Sequence, residues 1–436
     1  MSGPRRLDSR EPSFAADLAR LVAAGREQPQ DLRREVEAIL ARVAAEGDAA
    51  VIELSRRFDR VRLEPATFRV SQDELDGALA ACEPELRVAL ELAAARITAF
   101  HEEQLPRDLG WEDEQGVRLG LRWRPLDAVG LYVPGGTAAY PSSLLMNALP
   151  ARIAGVGRIA MTVPAPDGVL SPLVLAAARV AGVDEVYRIG GAQAIAALAF
   201  GTETIAPVDK IVGPGNAWVA EAKRQVFGRV GIDLVAGPSE ILVVADGDQN
   251  PEWIAADLLS QAEHDAVAQA VLVTDSGWLA DAVAAAVERQ LQVLPRREIA
   301  AASWRDFGAI IVLADLDEAP ALVDRLAPEH LELLVADPDA MAARIRHAGS
   351  IFLGAHTPEV IGDYVGGPNH VLPTGRTARF ASGLSVFDFL KRTTLLGCSP
   401  RAFAALAPIA TTLAAAEGLD GHARAVALRL ERAGGS

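Results

Sequence analysis

Between Ala128 and Leu353 short apolar runs with strand character alternate with longer runs whose apolar residues recur at helical spacing, and a chain patterned this way folds as a parallel sheet covered by helices. The strand-like runs of a first block are Ala128-Val-Gly-Leu-Tyr-Val, Arg158-Ile-Ala-Met-Thr-Val, Glu185-Val-Tyr-Arg-Ile, Lys210-Ile-Val and Ser239-Glu-Ile-Leu-Val-Val-Ala. Helix-like runs at Leu173, Ala194 and Ala217 separate them. A second block repeats the pattern, with strands at Gln269-Ala-Val-Leu-Val-Thr, Ala309-Ile-Ile-Val-Leu and Ser350-Ile-Phe-Leu. The pattern predicts an α/β protein with two parallel-sheet domains. Residues 10–105 read as a helical entry region, and residues 385–436 as an Ala-rich helical tail too short for a core of its own. That tail must pack on something else.

A chain of 436 residues divides into two or three domains. Its 42 Lys and Arg against 58 Asp and Glu leave a formal charge of −16, which repels phosphate backbones and anionic lipid, so neither nucleic acid nor a membrane is expected as a partner. Cys82 and Cys398 form no Cys-x-x-Cys pair, which points to a reducing compartment and leaves any metal to nitrogen and oxygen donors. With no signal-peptide pattern and no membrane-length apolar run, a soluble cytoplasmic protein is expected.

Several residues carry possible chemistry. Gln261 and His264 are three apart in a helical stretch, which puts both on one face and suits two ligands of one metal. Glu329 and His330 stand together on a turn, an acid and a base of tunable pKa suited to successive proton transfers. Asp363 lies in a Gly-rich loop able to bring a carboxylate to that metal, and Glu417 and His422 flank two glycines that let them converge. Four Gly-rich turns, at Pro134-Gly-Gly, Ile189-Gly-Gly-Ala-Gln, Gly213-Pro-Gly-Asn and Ala236-Gly-Pro-Ser, follow strand-like runs, and would gather Tyr132, Gln193, Asn216 and Ser239 at the carboxyl edge of a sheet. Taken singly, each of these reads as an ordinary polar-face, turn or surface residue. His101 and His347 read as solvated, and His356 and His370 stay undecided.

The combination of Gly130-Leu-Tyr-Val-Pro-Gly-Gly, Gly190-Gly-Ala-Gln-Ala-Ile-Ala-Ala-Leu-Ala, Val212-Gly-Pro-Gly-Asn, Gln261-Ala-Glu-His, Ala327-Pro-Glu-His-Leu-Glu, Gly366-Gly-Pro-Asn-His-Val-Leu-Pro-Thr and Glu417-Gly-Leu-Asp-Gly-His resembles the histidinol dehydrogenase family, from about residue 30 to 432. The resemblance implies two incomplete Rossmann-like parallel-sheet domains with a helical N-terminal arm (1–27) and a helical C-terminal tail (385–436). It assigns residues 28–131 and 239–384 to a discontinuous α/β domain carrying zinc and catalytic residues, and 132–238 to an NAD-binding α/β domain. The activity it implies is zinc-dependent oxidation of L-histidinol to L-histidine through L-histidinaldehyde, with two NAD, in histidine biosynthesis. Carried onto this chain, one zinc per active site is held by Gln261, His264, Asp363 and His422. Substrate contacts fall on those ligands with Ser239, His330 and Glu417, NAD contacts on Tyr132, Gln193 and Asn216, and proton transfer on Glu329 and His330. It further implies a homodimer with shared sites, each completed by the partner's tail. Trp218, where Tyr is more usual, and the looser Asp265-Ala-Val-Ala-Gln are its departures. The rival readings are a zinc hydrolase built on the same ligands and a catalytically silent binding protein.

Overall fold

The computed structural model describes residues 3–23, 30–135, 140–235 and 237–433. Gly136 and Ala236, from two of the Gly-rich turns, lie outside the described residues. In chain order, Arg5–Asp8 is β1, and Leu109–Glu112 and Val117–Pro125 are β2 and β3. The first alternating block supplies β4 (Ala128–Tyr132), β5 (Arg158–Thr162), β6 (Glu185–Tyr187), β7 (Lys210–Val212) and β8 (Gly231–Ile232). The run at Ser239, read with the first block, instead opens the second as β9 (Glu240–Ala245); β10 (Gln269–Thr274), β11 (Ala309–Val312), β12 (His330–Leu334) and β13 (Ser350–Leu353) complete that block, and β14 (Leu390–Cys398) follows.

Two units divide the chain: Met1–Gln104 with Leu126–Phe389, and Leu105–Pro125 with Leu390–Ser436. The larger unit holds both expected sheets, each parallel throughout. One runs β6-β5-β4-β7-β8 and the other β1-β11-β10-β9-β12-β13. Numbered within its own block, each follows the doubly wound order 3-2-1-4-5, which reverses once and opens a crevice at the reversal. The reversals fall between β4 and β7 and between β9 and β12.

The strands are apolar on both faces because helices cover both. Along β9, Ile241, Val243 and Ala245 join Ile254, Leu258 and Val283 in one core, while Leu242 and Val244 join Leu18, Leu322 and Leu331 in another. A strand buried this way is fixed in register, since a slip of one residue would exchange its two cores.

Three further features depart from the sequence reading. The N-terminal arm begins with a strand: β1 pairs with β11 from Arg5↔Ala309 to Asp8↔Val312, buries Leu7 and covers an edge of the six-stranded sheet. The C-terminal tail likewise begins with β14, which pairs antiparallel with β3 over nine positions, from Leu390↔Pro125 to Cys398↔Val117, before the helices Pro400–Ala416 and Asp420–Ala433. β3 also pairs with β2, so the smaller unit carries a three-stranded sheet outside the two expected ones, and its β3, Val117-Arg-Leu-Gly-Leu-Arg-Trp-Arg, alternates apolar and polar residues as a strand does. His101 is buried instead of solvated. Its Nδ1 meets Ile97 O at 2.7 Å and its Nε2 faces Asn369 Nδ2 at 3.4 Å, and burial lowers its pKa. Asn369 in turn donates to Met146 O at 2.6 Å, which ties the segment after Gly366 to the helix Pro141–Ile153.

Gly130, in the middle of β4, has no space for a larger residue: a Cβ there would stand 2.9 Å from Leu198 Cδ1 and 3.1 Å from Val208 Cγ2. Overpacking of this kind costs about 1–3 kcal/mol, so Gly130→Val is expected to lower the unfolding free energy by that amount in urea titration. An unchanged midpoint would mean that the helix Gly191–Phe200 can retreat freely.

Candidate active site

The reversal between β9 and β12 places Glu240, the first residue of β9, beside Glu329 and His330 at the start of β12. One residue holds both. The backbone N–H of Glu240 donates to Glu329 Oε2 at 2.9 Å, and its carbonyl accepts from His330 Nδ1 at 3.0 Å. A carbonyl only accepts, so Nδ1 carries the hydrogen and Nε2 keeps its lone pair. That Nε2 is buried without a hydrogen-bond partner and stands 3.9 Å from Asp363 Oδ1. Burial lowers the pKa of His330 to about 4, against the pull of Asp363. The site therefore holds a neutral imidazole with a free lone pair. The approach to this pair is tight: Gly349 N donates to Pro328 O, and a Cβ on Gly349 would stand 2.5 Å from Glu329 O.

Around His330 lie acids that the sequence reading missed. Glu359 Oε1 is 3.4 Å from His330 Nδ1, and the short helix Glu359–Tyr364 sets Glu359 four residues before Asp363, on one face. With its amide turned to donate, Gln261 Nε2 bonds Glu359 at 2.6 and 3.2 Å, which leaves the amide oxygen of this fully buried residue open to a further partner. Glu332 Oε1 accepts from Glu359 N at 2.7 Å and faces Asp257, four residues before Gln261 on the helix Pro251–Ala262. Burial raises Glu329, Glu332 and Glu359 well above the usual carboxyl range, reinforced by neighbouring carboxylates, and raises Asp257 to about 6. His370, undecided in the sequence, bonds Asp363 O through Nδ1 at 3.0 Å and is lowered by burial. The i, i+4 spacings Asp257/Gln261 and Glu359/Asp363 are the signals by which the sequence could have shown these groups.

Ligating atoms of His330, Glu359 and Asp363 all lie within 4.8 Å of one another. Gln261 borders this cluster. His264 does not share a helix face with Gln261, because the helix stops at Ala262 and Asp265 turns the chain toward β10 by accepting from Val267 N at 3.0 Å. It projects instead from the exposed turn, near enough to lower the pKa of both His330 and His370. Glu417, the cap of the helix Pro400–Ala416, and His422 belong to the smaller unit, and both are exposed.

The other reversal forms a second site. A cavity of about 330 Å³ is lined by Phe58, Asp59, Tyr132, Gln193, Asn216 and Trp218, among others. Tyr132 ends β4, and its hydroxyl accepts from Gly191 N at 3.1 Å while burial pushes its pKa up to about 12. Asn216 caps the helix Ala217–Val226 by accepting from Trp218 N and Val219 N. Two polar atoms here are buried and unpartnered: the donor Gln193 Nε2 and the acceptor Asp59 Oδ2. Ser239 does not join this group, because it leads into β9, at the amino end of the other sheet.

A profile of the histidinol dehydrogenase family matches residues 23–430. The chain belongs to the histidinol dehydrogenase family. It is 62% identical over 432 residues to a histidinol dehydrogenase of Ruegeria pomeroyi, covering 99% of this chain and 100% of that one. It is 63% identical over 430 residues to that of Rhodospirillum rubrum, covering 98% and 99%. The crystal structure of histidinol dehydrogenase from Elizabethkingia anophelis superposes with a TM-score of 0.94 at 36% identity, covering 99% of each chain. This chain is thus an oxidoreductase, and the hydrolase and silent-binder readings fall away.

The acids and the imidazole pull stability in opposite directions with pH. A raised carboxyl contributes stability that is complete below its unfolded pKa and is lost as pH rises through its folded one. The lowered His330 contributes stability that is complete above 6.5 and is lost as pH falls toward about 4. Above pH 6.5 only the carboxyl effect remains, so the chelator-treated protein is expected to melt at a lower temperature at pH 8 than at pH 6.5. Calorimetry in EDTA checks this, and a melting temperature that climbs over that range would contradict the protonated state of the buried acids.

Proposed function

We propose that this chain oxidises L-histidinol to L-histidine by way of L-histidinaldehyde, with two NAD accepting the hydrides, as the closing steps of histidine biosynthesis. The observation that carries the reading is the pairing of His330, pinned through Nδ1 with Nε2 free, with Glu329 on the same backbone anchor. His330 Nε2 takes the alcohol proton as the first hydride leaves. Glu329, lifted by burial toward the working pH, takes a proton from the water that adds to the aldehyde before the second hydride leaves.

One zinc per site would be held by Gln261, His264, Asp363 and His422, and it would anchor the imidazole and amine of the substrate, supplying orientation. The acidic, imidazole-rich pocket and the open amide oxygen of Gln261 suit a divalent cation. Ser239, His330 and Glu417 would contact the substrate beside those ligands. Tyr132, Gln193 and Asn216 would hold NAD, and the unpartnered Gln193 Nε2 and Asp59 Oδ2 offer a dinucleotide one donor and one acceptor. The exposure of Glu417 and His422 supports a homodimer in which each tail completes the partner's site. We place the enzyme in the cytoplasm on its two free cysteines; among the described residues no helix is long and apolar enough to cross a membrane.

Absorbance of reduced nicotinamide should rise when purified protein meets L-histidinol and NAD, vanish with a chelator and return with zinc; a flat trace with zinc present would defeat the reading. Glu329→Gln should impair aldehyde oxidation more than alcohol oxidation, and His330→Asn should damage alcohol oxidation by about 10²–10⁴-fold, as loss of a general base does. Equal damage to both steps by both variants would contradict the division of roles.

Shared sites make a separate prediction. Co-refolding inactive His330→Asn and His422→Asn chains should recover about a quarter of wild-type activity, because half the dimers are mixed and each mixed dimer keeps one intact site. No recovery would confine each site to one chain.

A further inference from the structure

The turn Gly213-Pro-Gly-Asn216 is held by a charge pair that no catalytic step uses. Lys223, on the helix Ala217–Val226, and Asp233, just after β8, form an ion pair whose side chains are each 2% exposed. Each also reaches the same residue: Lys223 Nζ donates to Gly213 O at 2.8 Å, and Gly213 N donates to Asp233 Oδ2 at 2.7 Å. Gly213 lies at the reversal between β7 and β4, with φ 111°, and a Cβ there would overlap the carbonyl of Tyr132. Tyr132 is thus pressed against one side of the clamped residue. Asn216 follows three residues later, its side chain already spent on capping the helix that carries Lys223.

A buried ion pair adds little net stability, since desolvation offsets the attraction, and an apolar pair of similar volume often serves the fold as well. What an apolar pair cannot do is accept from Gly213 N–H and donate to Gly213 C=O. We propose that Lys223 and Asp233 are positioning residues for the dinucleotide: they preform the Gly213 turn so that Tyr132 and Asn216 meet the cofactor without first being ordered. The inference rests on the dinucleotide reading of the cavity beside that turn. Preorganisation of this kind appears in affinity, because ordering a loop on binding subtracts from it.

The test compares paired replacements in the full-length, zinc-loaded enzyme by calorimetry. Lys223→Met with Asp233→Leu removes both tethers and both charges; it should melt below the wild-type temperature, since the buried Gly213 N–H and C=O lose their partners, and its NAD Kd should rise about tenfold or more. L-histidinol binding should stay within about twofold, since the substrate meets the other sheet. Lys223→Met with Asp233→Asn restores an acceptor for Gly213 N–H and should fall between the two. Wild-type NAD affinity in the Met/Leu protein, or equal losses for NAD and histidinol, would overturn the proposal. Failure of the wild-type enzyme itself to bind NAD would instead remove the dinucleotide reading, and the proposal with it. Should neither double variant fold, amide hydrogen exchange of the wild-type enzyme without NAD decides the matter: a slowly exchanging Gly213 amide supports a preformed turn, and a freely exchanging one overturns it.

Discussion

The backbone of Glu240 is the point on which the geometry of the site turns, because its N–H fixes Glu329 and its carbonyl fixes His330. A backbone peptide has only one direction in a buried strand, so the orientation of both side chains is inherited from the placement of β9. That placement comes from two cores at once, with alternate side chains of β9 committed to opposite helical layers. Beyond the strand, the Glu240 side chain accepts from Gly375 N at 3.2 Å, and Gly237 N donates to Thr374 Oγ1 at 2.6 Å, so the approach to β9 is tied to the loop after His370. Apolar packing far from the site thereby sets the geometry in which Glu329 and His330 are held.

The two sheets share a strand order and use opposite ends of it. In the five-stranded sheet Tyr132, Gln193 and Asn216 gather where the strands end, at the reversal, as open α/β sheets ordinarily arrange a ligand. In the six-stranded sheet Glu240, Glu329 and His330 gather where the strands begin. The helix Pro251–Ala262 explains how that end acquires further groups: it runs back from the end of β9, so its last turn delivers Gln261 to the beginning of the strands. Its earlier residue Asp257 then faces Glu332, which shares a strand face with His330.

The alternation of strands and helices was legible because it is local: each run carries its own period, and burial on both faces leaves the strands uniformly apolar. β1 and β14 were not legible, since Arg5-Arg-Leu-Asp and Lys391-Arg-Thr-Thr become strands only by pairing with β11 and β3, which are distant in sequence. Among site residues, Glu329, His330 and Asp363 stood out as titratable groups in turn-rich contexts, and the structure sets them together. Glu359 was passed over because the stretch from Glu359 to His370 reads as a Gly-rich loop, and its acid is conspicuous only once it is seen buried against Gln261 and His330 on a short helix. The separation of Ser239 from the turns that carry Tyr132, Gln193 and Asn216 was also hidden, since a Gly-rich turn looks alike at either end of a strand. His101 misled because its neighbours in sequence are charged, whereas its neighbours in space are Phe100, Asn369 and the carbonyl of Ile97.

The site is held at an electrostatic disadvantage by design of its packing. Among the described residues, the ionic partners of Glu329, Glu359 and Asp363 are the imidazoles of His330 and His370, both of which burial drives toward the neutral form. Neutral imidazoles cannot balance several carboxylates in a low-dielectric pocket, so charge balance must come from protons or from a cation. Protons supply it when the pocket is alone, which is why burial and mutual repulsion lift Glu329 and Glu359 together. Were a divalent ion to enter the same pocket, it would take over that role and release the protons it replaces, so metal uptake would carry proton release with it. The same exchange would return Glu329 to its ionised form, so the proton content of the pocket and its metal content would vary together.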